Sequence, residues 1–157
     1  LEECLSDGQA TEGLGQMAKV DDGTVVIYTT TSCSSCRKAV AWLKANSVPF
    51  FEVSLNVHQI TETELMHIIG LTESGIKDII STRSDAFKRL TRYTDEISVQ
   101  DLAKAVWDDP TMLKRPLLVT KNKLQIGYSD IDIRKFVPRE ARRKSLDELL
   151  RAEDAQI

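Results

Sequence analysis

An α/β fold with a block of helices inserted into its middle is predicted by three features of this 157-residue chain. A short run that is apolar throughout, Val25 to Tyr28, precedes a stretch with helical periodicity. A second strand-like run, "FFEVSL", follows that stretch. Strand signals then stop until "RPLLVTKNKLQIGY", far along the chain. A strand apolar at every position suits a sheet covered on both faces. The length fits one domain with a full core, and 41% apolar with 29% charged residues is ordinary for a globular protein.

Residues 1–23 are polar, contain glycine and show no sustained period, so they read as a disordered extension. The chain opens at Leu1 and Met17 is a candidate native start, which would make residues 1–16 processed, truncated or foreign sequence. The folded domain is expected over residues 24–157. Its first strand leads through a cysteine loop into a helix, where Cys36, Ala39, Val40 and Leu43 recur at helical spacing. Asn46 and Pro49 bracket the end of that helix. With "FFEVSL" these elements make a βαβ unit, whose crossover is right-handed.

A helical insert is expected at about residues 61–113. Thr61-x-x-Glu64 is a capping box and Gly70 a stop. Helix continues from Gly75 through Leu90 with a break near Ser81, and again after Ser98-x-x-Asp101 until Pro110. Lys121-Asn122-Lys123 then joins two apolar runs as a hairpin. Ser129 caps a helix over "SDIDIRKF", and Pro138 begins a terminal helix through Asp154. The order β-α-β, helices, β-β-α is that of a thioredoxin-like core.

Several function classes are disfavoured. No apolar run approaches the roughly 18 residues of a membrane span, and no basic-then-apolar leader opens the chain. A cytoplasmic location without membrane contact is the expectation. The net charge of −3 argues against generic nucleic-acid binding. The run "RKFVPREARRK", six basic residues against Glu140, reads as a solvated helix face. Three cysteines are too few for a disulfide scaffold.

The chemistry concentrates in "TTTSCSSCRKAVAWL". Cys33 sits where the first strand gives way to the first helix, where unpaired amides and the helix dipole favour an anion. Arg37 and Lys38 add positive charge. Cys36, one turn on and on the apolar face, is suited to resolve an oxidised Cys33 through a reversible disulfide. A structural zinc site would need four ligands. Cys4, His58 and His67 do not offer the spacing, so neither metal nor cofactor is expected. Pro116 opens the strand after the insert and should lie opposite the cysteine loop, with Arg115 pointing toward the sulfur. Arg37, Arg83 and Arg115 would then surround Cys33. Such a set suits oxyanion binding by an arsenate-reductase-type nucleophile, thiolate stabilisation or plain salt bridges. A general thiol–disulfide oxidoreductase is a third reading, in which the insert would crowd the dithiol.

The stretches "YTTTSCSSCRKAVAWL", "ESGIKDIISTRS", "LKRPLLV" and "LQIGYSDIDIRKFVPR" closely resemble those of the Spx family of redox-responsive transcriptional regulators. The likeness runs in order from about Thr24 to Arg142, and the family shares its branch of the thioredoxin fold with arsenate reductases. It implies a non-enzymatic protein that binds the C-terminal domain of the RNA polymerase α subunit, touches promoter DNA only within that complex, and controls thiol- and oxidative-stress genes. It also implies a Cys33–Cys36 disulfide switch, with Arg115 tied to the switch and Gly75 at the polymerase contact. The Clp protease and its adaptor are further partners of the family. The terminal "RAEDAQI" departs from the apolar, small-residue tail by which members reach that protease. The arsenate-reductase relatives generally lack a cysteine at the position of Cys36.

Overall fold

The computed structural model describes residues 23–92 and 96–155. The expected N-terminal extension therefore lies outside the described residues except for Gly23. Four strands form one sheet in the order β2-β1-β3-β4. Strand β1 (Val25–Thr29) pairs parallel with β2 (Phe50–Ser54), from Val25 opposite Phe50 to Thr29 opposite Ser54. On its other side β1 pairs antiparallel with β3 (Leu117–Val119), which pairs antiparallel with β4 (Leu124–Ile126). Helix α1 (Ser34–Ala45) is the crossover between β1 and β2.

The uninterrupted apolarity of Val25–Tyr28 follows from the central place of β1. Its side chains alternate between faces. Val25 and Ile27 pack with Ala39 and Leu43 of α1 and with Leu118, Ile133 and Phe136. Val26 and Tyr28 join the larger cluster formed with the helices between β2 and β3. Those helices are α2 (Glu62–Gly70), α3 (Ile76–Ile79), α4 (Asp85–Thr91) and α5 (Val99–Asp108), followed by a 3₁₀ turn (Pro110–Met112). Thr61, Ser84 and Ser98 each accept an amide hydrogen bond from the third residue onward and so cap α2, α4 and α5.

Two segments differ from plain helix. The break between α3 and α4 arises because Ile80 turns extended and bridges Leu113. The Ser81 amide bonds the Met112 carbonyl at 2.8 Å, and the Lys114 amide the Ile79 carbonyl at 2.8 Å. The segment after Ser129 forms a 3₁₀ helix over Asp132–Phe136. Three residues per turn put Ile133 and Phe136 on one edge, and both are buried. The terminal helix α6 (Arg139–Asp154) follows Pro138 and buries none of its side chains. No helix among the described residues is long and apolar enough to cross a membrane.

Candidate functional site

The cysteine turn hangs from the C-terminal end of β1. Asn56, just past β2, accepts the Thr31 amide at 2.9 Å, and Ser32 takes a left-handed φ of 60°. That kink delivers Cys33 to the position before α1 with an extended backbone. The Cys36 amide donates to the Cys33 sulfur at 3.3 Å, so the sulfur closes the first turn of the helix. Cys33 is half-buried at the mouth of a cavity of about 510 Å³, which Arg37, Lys44 and Glu52 also line. Cys36 is 3% exposed. Its thiol is pushed up to about 12, chiefly by burial and then by its hydrogen bond with Cys33. The Thr30 backbone and the Arg115 charge offset part of that rise. Both thiols are free, and the Cys36 thiol is protonated near neutral pH.

Arg115 reaches the same turn from the bend that precedes β3. It precedes Pro116 across a cis peptide bond and donates from Nη1 to the Thr30 hydroxyl at 2.7 Å. Thr30 is thus part of the site, and sequence reasoning passed over it. The only signal was a hydroxyl three residues before the first cysteine. The structure brings Cys33, Cys36 and Arg37 together and sets Arg115 one hydroxyl away. Arg83 is exposed in the turn between α3 and α4, where the Ile80–Leu113 bridge has ended the helix, and it does not line the cysteine cavity.

Gly75 lies elsewhere, at the start of α3, with φ 79° and ψ −144°. This is a conformation essentially restricted to glycine. Its amide donates to the Thr72 hydroxyl at 3.0 Å, and the Asp78 carboxylate accepts the Glu73 and Ser74 amides at 3.1 and 2.9 Å. Glu73 and Asp78 also line a second cavity, about 730 Å³, whose far wall includes Lys114 and Arg115. Arg115 therefore touches the cysteine turn through Thr30 and shares a cavity with Glu73 and Asp78 of the Gly75 turn.

The histidines are engaged in the fold. His58 Nε2 lies 3.0 Å from Glu64 Oε1, and His67 Nε2 lies 3.0 Å from the Thr120 carbonyl oxygen. No group of three or more metal-ligating side chains occurs among the described residues.

A cysteine pair opening α1 of a β2-β1-β3-β4 sheet, with a helical block between β2 and β3, defines a protein of the thioredoxin-like class. Residues 28–136 match the ArsC family. The chain is 45% identical over 118 residues to the global transcriptional regulator Spx 2 of Bacillus anthracis, covering 75% of this chain and 90% of that protein. It is 38% identical over 130 residues to the global transcriptional regulator Spx of Staphylococcus aureus, covering 83% and 99%. Among solved structures it is similar to an ArsC-family-related protein from Bacteroides fragilis (TM-score 0.57, 22% identity, 72% of this chain and 98% of that one). It is also similar to an arsenate reductase from Vibrio cholerae (TM-score 0.55, 20% identity, 72% and 94%). These two likenesses speak to the fold alone. The chain belongs to the ArsC family and, within it, to the Spx regulators.

Proposed function

We propose that the chain is a redox-sensing transcriptional regulator that binds the C-terminal domain of the RNA polymerase α subunit and controls thiol- and oxidative-stress genes through a Cys33–Cys36 disulfide switch. The observation that carries this reading is the buried second cysteine, one helical turn from an accessible first one and hydrogen-bonded to it. The Cys33 thiolate attacks one oxygen of a peroxide; the O–O bond breaks, that oxygen stays on sulfur as a sulfenic acid, and the other leaves as water or alcohol after taking up a proton. Attack by the Cys36 sulfur then forms the S–S bond, and the Cys36 proton departs with the sulfenic hydroxyl as water. Dithiothreitol reverses the change by thiol–disulfide exchange.

Arg115 couples this chemistry to the rest of the protein, because a guanidinium is drawn to a thiolate and released by a neutral disulfide. Its contact with the cysteine turn and the cavity it shares with the Gly75 turn support that role. Gly75 belongs to the polymerase-binding surface, and Arg37 supplies charge at the cavity mouth. Promoter DNA is touched only in the complex. The Clp protease and its adaptor are further partners in this reading. The alternative is an arsenate-reductase-like reaction with Cys33 as nucleophile, and its clamp would need Arg83 to join Arg37 and Arg115.

The test is capture of the purified α C-terminal domain by oxidised and by reduced protein, beside an arsenate-reduction assay. Oxidised protein should form the Cys33–Cys36 disulfide, seen by differential alkylation and peptide mapping, and should activate transcription more strongly. Arg115→Ala should still form the disulfide but lose the difference between redox states. Gly75→Ala and Gly75→Arg share the backbone strain of a positive φ, and no atom lies within 4 Å of an added Cβ. Binding kept by alanine and lost by arginine would support a contact at Gly75. Arsenate turnover without polymerase binding would replace this reading with the enzymatic one.

A further inference from the structure

We infer that α6 is a self-association helix, pairing antiparallel with the α6 of a second copy of this chain. It spans 16 residues and buries none of its side chains. Pro138 precedes it without a side-chain cap, and Arg142 Nε to the Val137 carbonyl, at 3.0 Å, anchors only its first turn. An isolated helix of this length is marginal in water unless an apolar face is covered. The uncovered face is present. Leu146, Leu149 and Leu150 are 56%, 65% and 51% exposed, at the i, i+3, i+4 spacing of one helical stripe.

Charge selects the occupant. Read at heptad spacing, the seam runs Arg143, Leu146, Leu150, Glu153, with Leu149 beside it. The first half of the helix carries Arg139, Arg142, Arg143 and Lys144 against Glu140, and the second half Asp147, Glu148, Glu153 and Asp154 against Arg151. A parallel pair would set Arg143 against Arg143 and Glu153 against Glu153. An antiparallel pair sets Leu146 against Leu150 of the partner subunit, and Arg143 against Glu153 of the partner subunit at both ends. The stripe is therefore self-complementary about a two-fold axis near Glu148, as an isologous dimer requires. Two short helices make a small interface, so association is weak and concentration-dependent.

Sedimentation velocity of the full chain in excess dithiothreitol, over about a hundred-fold range of concentration, tests this without interference from intermolecular disulfides. The expected result is a monomer at the low end moving toward a dimer at the high end. Arg143→Glu should shift the dissociation constant upward at least about ten-fold. The double variant Arg143→Glu/Glu153→Arg should restore the wild-type constant, because arginine and glutamate have similar helix propensities and the swap recreates the pairing. Leu146→Lys should abolish the dimer and, at the low concentration where wild type is monomeric, leave the melting temperature unchanged, since the side chain is exposed in the monomer. A chain that stays monomeric throughout, a double variant without rescue, or a dimer unaffected by Leu146→Lys would each overturn the inference. The first would leave the stripe to a partner of another kind.

Discussion

Two helix starts in this molecule are built alike and do opposite things. Strand β1 hands over to α1 at Cys33, and α2 begins beyond β2 at Thr61. In each case the capping side chain accepts the amide of the third residue onward, Cys36 to sulfur at 3.3 Å and Glu64 to oxygen at 3.1 Å. In each case that third residue is itself buried, 3% exposed for Cys36 and 1% for Glu64. What differs is how the buried group is satisfied. Glu64 is fixed from several sides: Tyr28 donates to it at 2.8 Å, His58 lies at 3.0 Å and Thr61 donates at 3.2 Å. Cys36 has a neutral thiol whose notable neighbour is another sulfur. The same local frame serves as a rivet at α2 and as a reactive pair at α1, and the side chain at the fourth position decides which.

The largest expected difference is in stability. Glu64→Ala leaves the His58 ring and the Tyr28 hydroxyl buried without the carboxylate they share. Losing a charged acceptor that several buried hydrogen bonds share costs about 1.5–3 kcal/mol for each bond. Cys36→Ala removes one buried sulfur and leaves no charge stranded, so a loss of roughly 1 kcal/mol is expected. Urea unfolding of the two variants in reducing buffer makes the comparison. Equal losses would mean that the Glu64 set is no more a rivet than the thiol.

The two groups should also fail at opposite ends of the pH scale. Burial alone would raise the Glu64 carboxyl, but the His58 and Tyr28 hydrogen bonds, attraction to His58 and the Thr61 hydroxyl outweigh it and hold the carboxyl low. Its contribution is therefore present above the ordinary value of 4.5 and is lost as pH falls through the lower folded value. The Cys36 thiol is raised from 9.0 to about 12, so its contribution is present below 9.0 and is lost as pH rises toward 12. Wild type should lose stability in acid more steeply than Glu64→Gln. In the alkaline range reduced wild type should lose more than reduced Cys36→Ala. Tyr28, also raised by burial, titrates in both of those proteins and cancels from the difference. Parallel alkaline curves would remove the buried thiol from the account.

The contrast was half legible in the sequence. The apolar run Val25–Tyr28, the helical spacing of Cys36, Ala39 and Leu43, and the Thr61 and Ser98 caps are local patterns, and the fold class followed from them. The role of Glu64 was not legible. Its spacing from Thr61 reads as a capping box, yet its carboxylate turns inward to Tyr28, 36 positions earlier. Arg115 could be placed opposite the cysteines from the order of elements, but Thr30, the hydroxyl it uses, lies 85 positions away. Arg83 was grouped with the cysteines by residue type. The Ile80–Leu113 bridge that leaves it in an exposed turn is a long-range contact with no local signature.

The smallest expected effect bears most directly on the two caps. Replacing a hydroxyl cap by alanine costs about 1 kcal/mol, and Thr61→Ala additionally takes a hydrogen-bond donor from Glu64. Sulfur is a weak acceptor, so Cys33→Ala should cost only a few tenths of a kcal/mol. Cys33→Ser substitutes a better acceptor at the same position and should equal or exceed wild type in stability while losing the disulfide. Thermal melts of Thr61→Ala, Thr61→Ser, Cys33→Ala and Cys33→Ser under reduction would rank the four. A serine at 33 that stabilises means that the position gives up capping strength to hold a sulfur, as a site kept for covalent chemistry would. If Cys33→Ala costs as much as Thr61→Ala, the sulfur is a full structural cap, and the difference between the two helix starts then rests on Cys36 and Glu64 alone.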